Sequence, residues 1–360
     1  MGTNILHKTK QIKFGAKNRL KLHSNHNHNS NCSCSQNETL HSSNLDTLAQ
    51  LDQVAPIGAL AGGNAEQKIQ QKPSGKDTLL KRARAKFLTQ EISRELGDLN
   101  SPLKKAYWNT FYCTHILEQV GTKITSKYCK NRFCIVCNRI RTAKLIAEWM
   151  PVLKKMDEPV SLVLTIPNCD ETLLQSEMKR MKHKFELIRR TFKNNSKPLK
   201  ALRKLECTYN DTTNLYHPHF HFIIDGYVTS KNVLEQWMKH FPECNIKAQH
   251  ISRADENSLF ELFKYVTKFV SNKSGIHIKA LDTIFQAMYN QKTFQAYGLK
   301  KQVNEDIETL ISEIYSDLEN REIAWIWDVT DWIDHSSGEC LTGYKPSESM
   351  LKLITNIDTS

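Results

Sequence analysis

Apolar and polar residues alternate through residues 217–227, HPHFHFIIDGY, which is typical of a β-strand with one face towards a core. Side chains in a strand point alternately to the two faces of the sheet. His217, His219 and His221 therefore share one face, and Phe220 lies on the other. Three histidines embedded in an aromatic and branched apolar strand indicate a metal site more strongly than histidines in a polar loop would.

A second strand is predicted directly before the histidines, at residues 201–210, ALRKLECTYN, with the polar segment NDTTN between the two. Two apolar runs separated by a short polar segment predict a β-hairpin. If its turn centres near Thr213, Glu206 lies opposite His219 to His221. The hairpin would then bring a carboxylate beside the imidazoles.

The hydrophobic pattern predicts further strands and helices around this hairpin, in the order β-α-β-β-α-β-α. This order favours a ferredoxin-like α+β fold, with a mainly antiparallel sheet and helices on one face. The other predicted elements are a buried strand at 159–168, an amphipathic helix at 171–193, a helix at 230–241, a strand at 245–253 and an apolar helix at 257–270.

Composition divides the chain into four predicted segments. Residues 1–78 are rich in Asn, Ser, His, Gln, Lys and Gly, and we expect a disordered basic tail because they offer little apolar surface to bury. Residues 79–156 combine basic helices with cysteines, and one of these helices begins with a capping-type residue, Asp77. The α+β core is predicted at 157–274. Residues 275–360 are expected to be helical and acidic.

The net charge of +12 is unevenly distributed along the chain. Residues 301–360 carry 4 Lys or Arg and 13 Asp or Glu, a net charge of −9, so the first 300 residues carry +21. A basic body of this kind indicates a polyanionic partner such as nucleic acid. No run of 18 apolar residues predicts a membrane span. The ten cysteines are expected to be thiols or metal ligands in a cytoplasmic protein.

Four cysteines have the spacing of a structural zinc site. Cys134 and Cys137 form a Cys-x2-Cys pair and Cys129 precedes it by five residues. Cys113 is the best fourth ligand, and His115 is the alternative. Zinc would fold a small ribbon that could not otherwise hold itself together; reduced cysteines without a metal are the competing interpretation.

The histidine face and Glu206 provide the ligands of a second metal site. Two imidazoles and one carboxylate, from His219, His221 and Glu206, leave positions open on a divalent cation, as in catalytic sites. His217 is the rival third ligand. A solvent-exposed glutamate on a strand would be the competing interpretation for Glu206.

The apolar helix at 257–270 carries three polar residues on one face. Glu261, Tyr265 and Lys268 are spaced i, i+4 and i+7. A tyrosine alone is usually a packing residue, but a lysine that lowers its pKa and a nearby metal make its phenolate a suitable nucleophile for a phosphodiester.

These segments resemble the rolling-circle plasmid replication initiators of the HUH endonuclease superfamily. SLVLTIPN, HPHFHFII and FKYVTKFV look like its three motifs in the family's order. CKNRFCIVC is similar to its zinc-type element, although the family often has Pro where Ile135 stands. FQAYGLKK resembles the segment after the nuclease core, so the likeness covers roughly residues 110–301.

The resemblance implies a nuclease core at 157–274 in which Tyr265 becomes linked to a 5′ phosphate and leaves a 3′-OH primer. It implies that Glu261 activates water at termination, by the single-tyrosine branch of the superfamily. It also implies metal binding by His219 and His221, with Glu206 as third ligand, and Mg or Mn as the usual metal. The same donors would suit Zn or Ni.

Plasmid origin DNA, both duplex and single-stranded or hairpin, is the implied partner, together with host helicase and polymerase; homodimerisation is left open. The alternatives are a relaxase or single-strand transposase of the same superfamily, and a non-catalytic, zinc-dependent DNA-binding regulator. The residues predicted to contact DNA lie in and after the cysteine segment: Lys130, Arg132, Arg139 and Arg141.

Overall fold

A computed structural model describes residues 75–194, 198–263, 271–272, 275–302, 315 and 318–358. Of the predicted basic tail, residues 1–74 lie outside these residues. The helices are α1 (Gly75–Asp98), α2 (Lys104–Phe111), α3 (Ile135–Leu153), α4 (Glu171–Asn194), α5 (Tyr227–His240), α6 (Glu256–Phe263), α7 (Ile278–Met288) and α8 (Glu348–Thr355).

The strands are β1 (Ile116–Gly121), β2 (Lys123–Ser126), β3 (Pro159–Thr165), β4 (Ala201–Asn210), β5 (Leu215–Asp225), β6 (His250–Arg253), β7 (Ser271–Asn272), β8 (Gly275–His277), β9 (Phe294–Tyr297), β10 (Arg321–Asp328), β11 (Asp331–Ile333) and β12 (Ile357–Asp358). They form three sheets, in the orders β6-β3-β5-β4-β9, β11-β10-β1-β2 and β12-β8-β7. The mixed α and β composition and the antiparallel central sheet confirm the predicted fold class.

The hairpin β4–β5 is closed by its turn residues. The Asn210 side-chain oxygen accepts hydrogen bonds from the backbone N–H groups of Thr212 and Thr213, and Asn214 adopts the left-handed conformation that asparagine tolerates. This turn sets the register, and Glu206 pairs directly with His219. The predicted register is therefore confirmed.

One face of the central sheet is covered by α4 and α5. Phe220 and Phe222 of β5 contact Phe185 of α4, with ring centroids 6.1 and 4.7 Å apart. Phe220 also lies edge-on against Trp237 of α5. All four side chains are buried, and each contributes roughly 1.5–3 kcal/mol through the surface it removes from water.

The opposite face, which carries the histidines, is covered by helices only in part. Leu202 and Ile223 pack there in one cluster with Trp149 of α3 and with Leu259 and Phe263 of α6. The sequence predicts helices on one face alone. The apolar Leu202–Ile223 pair, extended by Phe294 and Ala296 of the neighbouring strand, explains why two further helices dock on the second face.

The second sheet joins the two ends of the described chain. Strand β1 pairs with β10 along its whole length, and Trp325, Trp327 and Trp332 fill the core beneath. The indole N–H of Trp332 donates to the Thr114 carbonyl at 2.8 Å. The predicted helical segment 275–360 thus includes strands, because alternating apolar residues from Ile323 onwards follow the strand period.

Segments 79–156 and 275–360 consequently share one sheet, and the predicted segment boundaries stay predictions. A buried hydrogen-bond network ties the same two segments together: Asp282 of α7 accepts from Ser101 at 2.6 Å and from Tyr107 at 2.5 Å. None of the helices within the described ranges combines the length and the hydropathy needed to cross a membrane.

Candidate functional site

The hairpin brings together Glu206, His219 and His221, whose ligating atoms all lie within 4.8 Å of one another. Glu206 Oε2 is 3.4 Å from His219 Nε2 and 3.0 Å from His221 Nε2. The His219 side chain is largely buried, whereas that of His221 is 32% exposed. The group therefore lies at an accessible part of the sheet, where a cation held by three protein atoms would keep positions open for other ligands.

Each histidine is oriented differently. His219 Nδ1 lies 3.0 Å from the backbone carbonyl of His217. Because a carbonyl can only accept, this contact places the proton on Nδ1 and leaves Nε2 of His219 free to bind a metal. His217 lies outside the group; its Nδ1 is 2.7 Å from Asn168 Oδ1.

The carboxylate of Glu206 is held in its charged form by its neighbours. Burial opposes ionisation, but the Lys204 ammonium and the nearby His219 and His221 side chains outweigh it, so the pKa of Glu206 lies well below its usual range. Lys204 forms an ion pair with Glu206 Oε1, which leaves Oε2 directed at the imidazoles. An ionised carboxylate and two imidazole nitrogens form a donor set that suits a divalent cation.

The described part of helix α6 lies beside this group. Lys204 Nζ donates to the Glu261 carbonyl at 3.4 Å, and Thr142 Oγ1 donates to the Phe263 carbonyl at 3.2 Å. The side chain of Glu261 is exposed. Tyr265 and Lys268 lie outside the described residues.

Lys204 was not predicted from the sequence to be part of this site. The sequence does place Lys204 on the same strand face as Glu206, because the two residues are two positions apart. A lysine on a strand is usually solvated, and nothing local indicated that α3 and α6 would cover it. Only the packing of these helices makes its charge a buried one.

The second predicted group is also assembled. The Sγ atoms of Cys113, Cys129, Cys134 and Cys137 all lie within 4.8 Å of one another, and Cys137 is 3.6 Å from both Cys113 and Cys129. Cys113 follows α2, Cys129 follows the β1–β2 hairpin, and Cys134 caps α3. His115, the alternative ligand, lies outside the group.

The surroundings of these thiols favour a cation. Hydrogen bonds within the cluster lower the pKa of Cys129, while burial raises the pKa of Cys134 well above its ordinary value. Backbone N–H groups of Asn131 and Cys137 point at sulfur atoms, as in thiolate metal sites. Four thiolates cannot share this buried space without a positive ion, and tetrahedral sulfur coordination is the geometry that zinc prefers.

The cysteine segment also contacts the rest of the fold. Phe133 stacks on Phe285 of α7, with centroids 4.1 Å apart. Arg132 reaches the same region and donates to the Gln291 carbonyl and, at 3.3 Å, to Thr293. The cysteine segment therefore contacts α7 and the loop that leads from α7 to the next strand.

The predicted DNA-contacting residues have varied surroundings. Lys130 and Arg132 are exposed, and Lys130 has a left-handed backbone. Arg139 donates to the Lys81 carbonyl, and Arg141 donates to Asn138 and to the Lys130 carbonyl. These contacts orient the arginines within the fold, and their role in DNA binding stays a prediction.

The sequence is similar to those of known replication proteins. The family model described as "Replication protein" matches residues 122–323, a range that contains three of the four cysteines and the hairpin group. "Protein rep" of Staphylococcus aureus is 28% identical over 222 residues, which cover 54% of this chain and 94% of that protein. "Protein rep" of Streptococcus pneumoniae serotype 2 (strain D39 / NCTC 7466) is 22% identical over 228 residues, covering 57% of this chain and 69% of that protein.

No solved structure has significant similarity to this chain. The family match spans more than half of the sequence and includes the whole hairpin group and three of the four clustered cysteines. It confirms the resemblance found in the motifs. The chain therefore belongs to the replication protein family, the family of Rep plasmid replication initiators.

Proposed function

We propose that this protein starts rolling-circle replication of a plasmid by nicking one strand of its origin, as an HUH endonuclease with a single tyrosine nucleophile. The observation that carries the proposal is the convergence of Glu206, His219 and His221 on an accessible sheet face. A structural histidine pair would need no ionised, largely buried carboxylate aimed at both rings. A metal that must also contact a phosphate needs an ionised carboxylate and two imidazoles on an accessible face.

Glu206, His219 and His221 would hold Mg²⁺ or Mn²⁺. When bound, the cation would polarise the scissile phosphate and offset negative charge on its oxygens. Of the two ions, Mn²⁺ suits this donor set better, because Mg²⁺ is usually bound through carboxylates and retained waters. We therefore expect Mn²⁺ to support nicking at a lower concentration than Mg²⁺.

Tyr265 would carry out the nicking step. Its phenol oxygen would lose a proton and attack the phosphorus, forming a phosphotyrosine ester as the bond from phosphorus to the 3′ oxygen breaks. The 3′ oxygen would take up a proton and become the 3′-OH primer. Lys268, three residues further on, would stabilise the phenolate; both residues follow the described end of α6.

Glu261 would act at termination by accepting a proton from the water that attacks a phosphodiester. Its exposed side chain and the anchoring of its carbonyl by Lys204 support this assignment. The carbonyl contact holds this part of α6 next to the hairpin group. The carboxylate can then reach solvent while its backbone stays fixed.

The four cysteines would bind zinc as a structural element. Their position between α2 and α3, and the stacking of Phe133 on α7, support a role in fixing the basic start of α3. Lys130, Arg132, Arg139 and Arg141 would contact origin DNA from this element. Host helicase and polymerase would act on the nicked product in the bacterial cytoplasm, and self-association into a dimer is compatible with this scheme.

The test is a nicking assay on supercoiled plasmid carrying the cognate origin. We expect a nicked circle with protein attached to its 5′ end in the presence of Mn²⁺, and neither product from Tyr265→Phe. His183→Ala, at an exposed helical position outside the proposed site, is the control and should nick normally. Unchanged nicking by Tyr265→Phe would exclude the proposed nucleophile. Origin binding without nicking by the wild type would instead indicate a non-catalytic regulator.

A further inference from the structure

Helix α4 presents a basic surface on the side of the sheet away from the metal-binding hairpin. Its inner residues pack on the sheet, and its outer side faces solvent. The helix contains seven Lys or Arg residues and three Glu residues. The buried positions are Leu174, Met178, Met181, Phe185 and Ile188.

Two of the three glutamates are already paired. Arg180 forms ion pairs with Glu177 at 2.8 Å and with Glu243 at 2.7 Å, and Arg189 pairs with Glu186 at 2.8 Å. These contacts neutralise the acidic groups near the middle of the helix. Uncompensated positive charge therefore remains along its outer flank.

Four side chains make up this flank, which we name the α4 basic stripe: Lys179, Lys182, Arg190 and Lys193. None of them has an ion-pair partner within the described part of the chain. At 100° per residue they fall within about 80° of arc, and 1.5 Å of rise per residue spreads them over about 21 Å. Burial, together with the charges of Arg203 and Lys179, lowers the pKa of Lys182.

The spacing of the charges identifies the kind of ligand. A small anion is bound by groups that converge on one point, whereas these four are spread along a line. A line of about 21 Å matches several successive phosphates of one DNA strand. Because α4 and the hairpin group cover opposite faces of the central sheet, a duplex on the stripe would leave the accessible histidine face uncovered.

We propose that the α4 basic stripe binds the phosphate backbone of duplex origin DNA at a second contact surface, separate from the nicking site. The inference rests on the proposed function, since the ligand is the DNA on which that function acts. The α4 basic stripe would bind the flanking duplex at the same time as one strand enters the metal site. Such a contact would position the origin without reading its sequence.

The test compares two variants with the same change in net charge. Lys179→Gln/Arg190→Gln/Lys193→Gln removes three stripe charges, and Lys123→Gln/Lys345→Gln/Lys352→Gln removes three exposed lysines elsewhere. Binding of a fluorescent origin duplex is measured by anisotropy from 50 to 200 mM salt. We expect the stripe variant to lower the slope of log affinity against log salt by about 2.7, and to bind at least tenfold more weakly at 150 mM.

The control variant should retain a slope within about one of the wild type. Equal losses in both variants would assign the effect to overall charge and overturn the proposal, as would an unchanged slope in the stripe variant. Nicking of a single-stranded oligonucleotide containing the nick site should be unaffected in both variants. Failure of the wild type to nick would count against the proposed function alone, because duplex binding is measured independently of cleavage.

Discussion

Lys204 shows how packing converts an ordinary surface residue into part of a site. It is 5% exposed and bridges the Glu206 carboxylate to the Glu261 carbonyl. Glu206 and the histidines could be identified from strand alternation and a count from the turn. Lys204 could not, because its burial depends on α3 and α6, which come from other parts of the chain.

The three histidines on one strand face are expected to contribute unequally. His219→Ala and His221→Ala each remove a ligating nitrogen, and we expect nicking to fall at least 100-fold in Mn²⁺. His217→Ala should retain most activity, because its ring contacts Asn168 and lies outside the Glu206 group. Rates measured across a Mn²⁺ titration would show this, and a defect in His217→Ala as large as in the other two would make it a ligand.

Lys204→Met tests the buried charge. Removing one partner of a buried ion pair leaves Glu206 uncompensated, and we expect a loss of about 3 kcal/mol in the stability of the metal-free protein. The variant also removes a positive charge close to the cation, so Mn²⁺ should raise its melting temperature more than that of the wild type. Thermal unfolding with and without Mn²⁺ measures both effects.

Lys200→Met is the matched control for this prediction. Lys200 pairs with Asp225 at 3.8 Å, but its side chain is 56% exposed, and exposed pairs contribute little. Its stability and its response to Mn²⁺ should both match the wild type. A smaller Mn²⁺ stabilisation in Lys204→Met than in the wild type would show that Lys204 supports metal binding instead of opposing it.

At the scale of elements, the cysteine cluster is assembled from three short segments around one point. The end of α2, the loop after β2 and the first turn of α3 each supply ligands. Spacing indicated Cys129, Cys134 and Cys137, because metal ligands recur at intervals that short turns can bridge, and it left Cys113 as the best fourth ligand with His115 as the alternative. The sheet beside the cluster carried no such local signal.

Cys134→Ser/Cys137→Ser should lose the zinc. Two of four ligands disappear, and the remaining thiols no longer need a cation, so metal analysis should fall from about one zinc per chain to none. Cys340→Ser is the control, because Cys340 is an exposed cysteine outside the cluster. A wild-type protein without zinc, or a double variant that retains it, would contradict the assignment.

At the scale of the whole molecule, local elements were predictable and distant pairings were not. The β4–β5 hairpin follows from a turn of a few residues, and α4 from a long amphipathic period. The pairing of β1 with β10 joins residues that are 200 to 210 positions apart in the sequence, and alternation in each strand does not specify its partner. The acidic end of the chain therefore looked like an appendage, although its tryptophans complete a core.

Trp332→Ala should weaken the cysteine element from a distance. Trp332 is fully buried, contacts Trp327 edge-on, and donates to the carbonyl of the residue after Cys113. We expect a loss of about 3–5 kcal/mol and faster release of zinc to a chelator. His335→Ala, at an exposed position nearby, should change neither quantity. Zinc release at the wild-type rate from Trp332→Ala would show that the cluster is independent of the C-terminal sheet.

The β1–β10 pairing also has a consequence for how the protein is made. Ribosomes deliver a chain from its N-terminus, and domains generally begin to fold in that order. The cysteines leave the ribosome early, but β10, the partner strand of β1, begins 200 residues after β1 ends. The central sheet can therefore form on a nascent chain before β10 is available to the adjoining cysteine element.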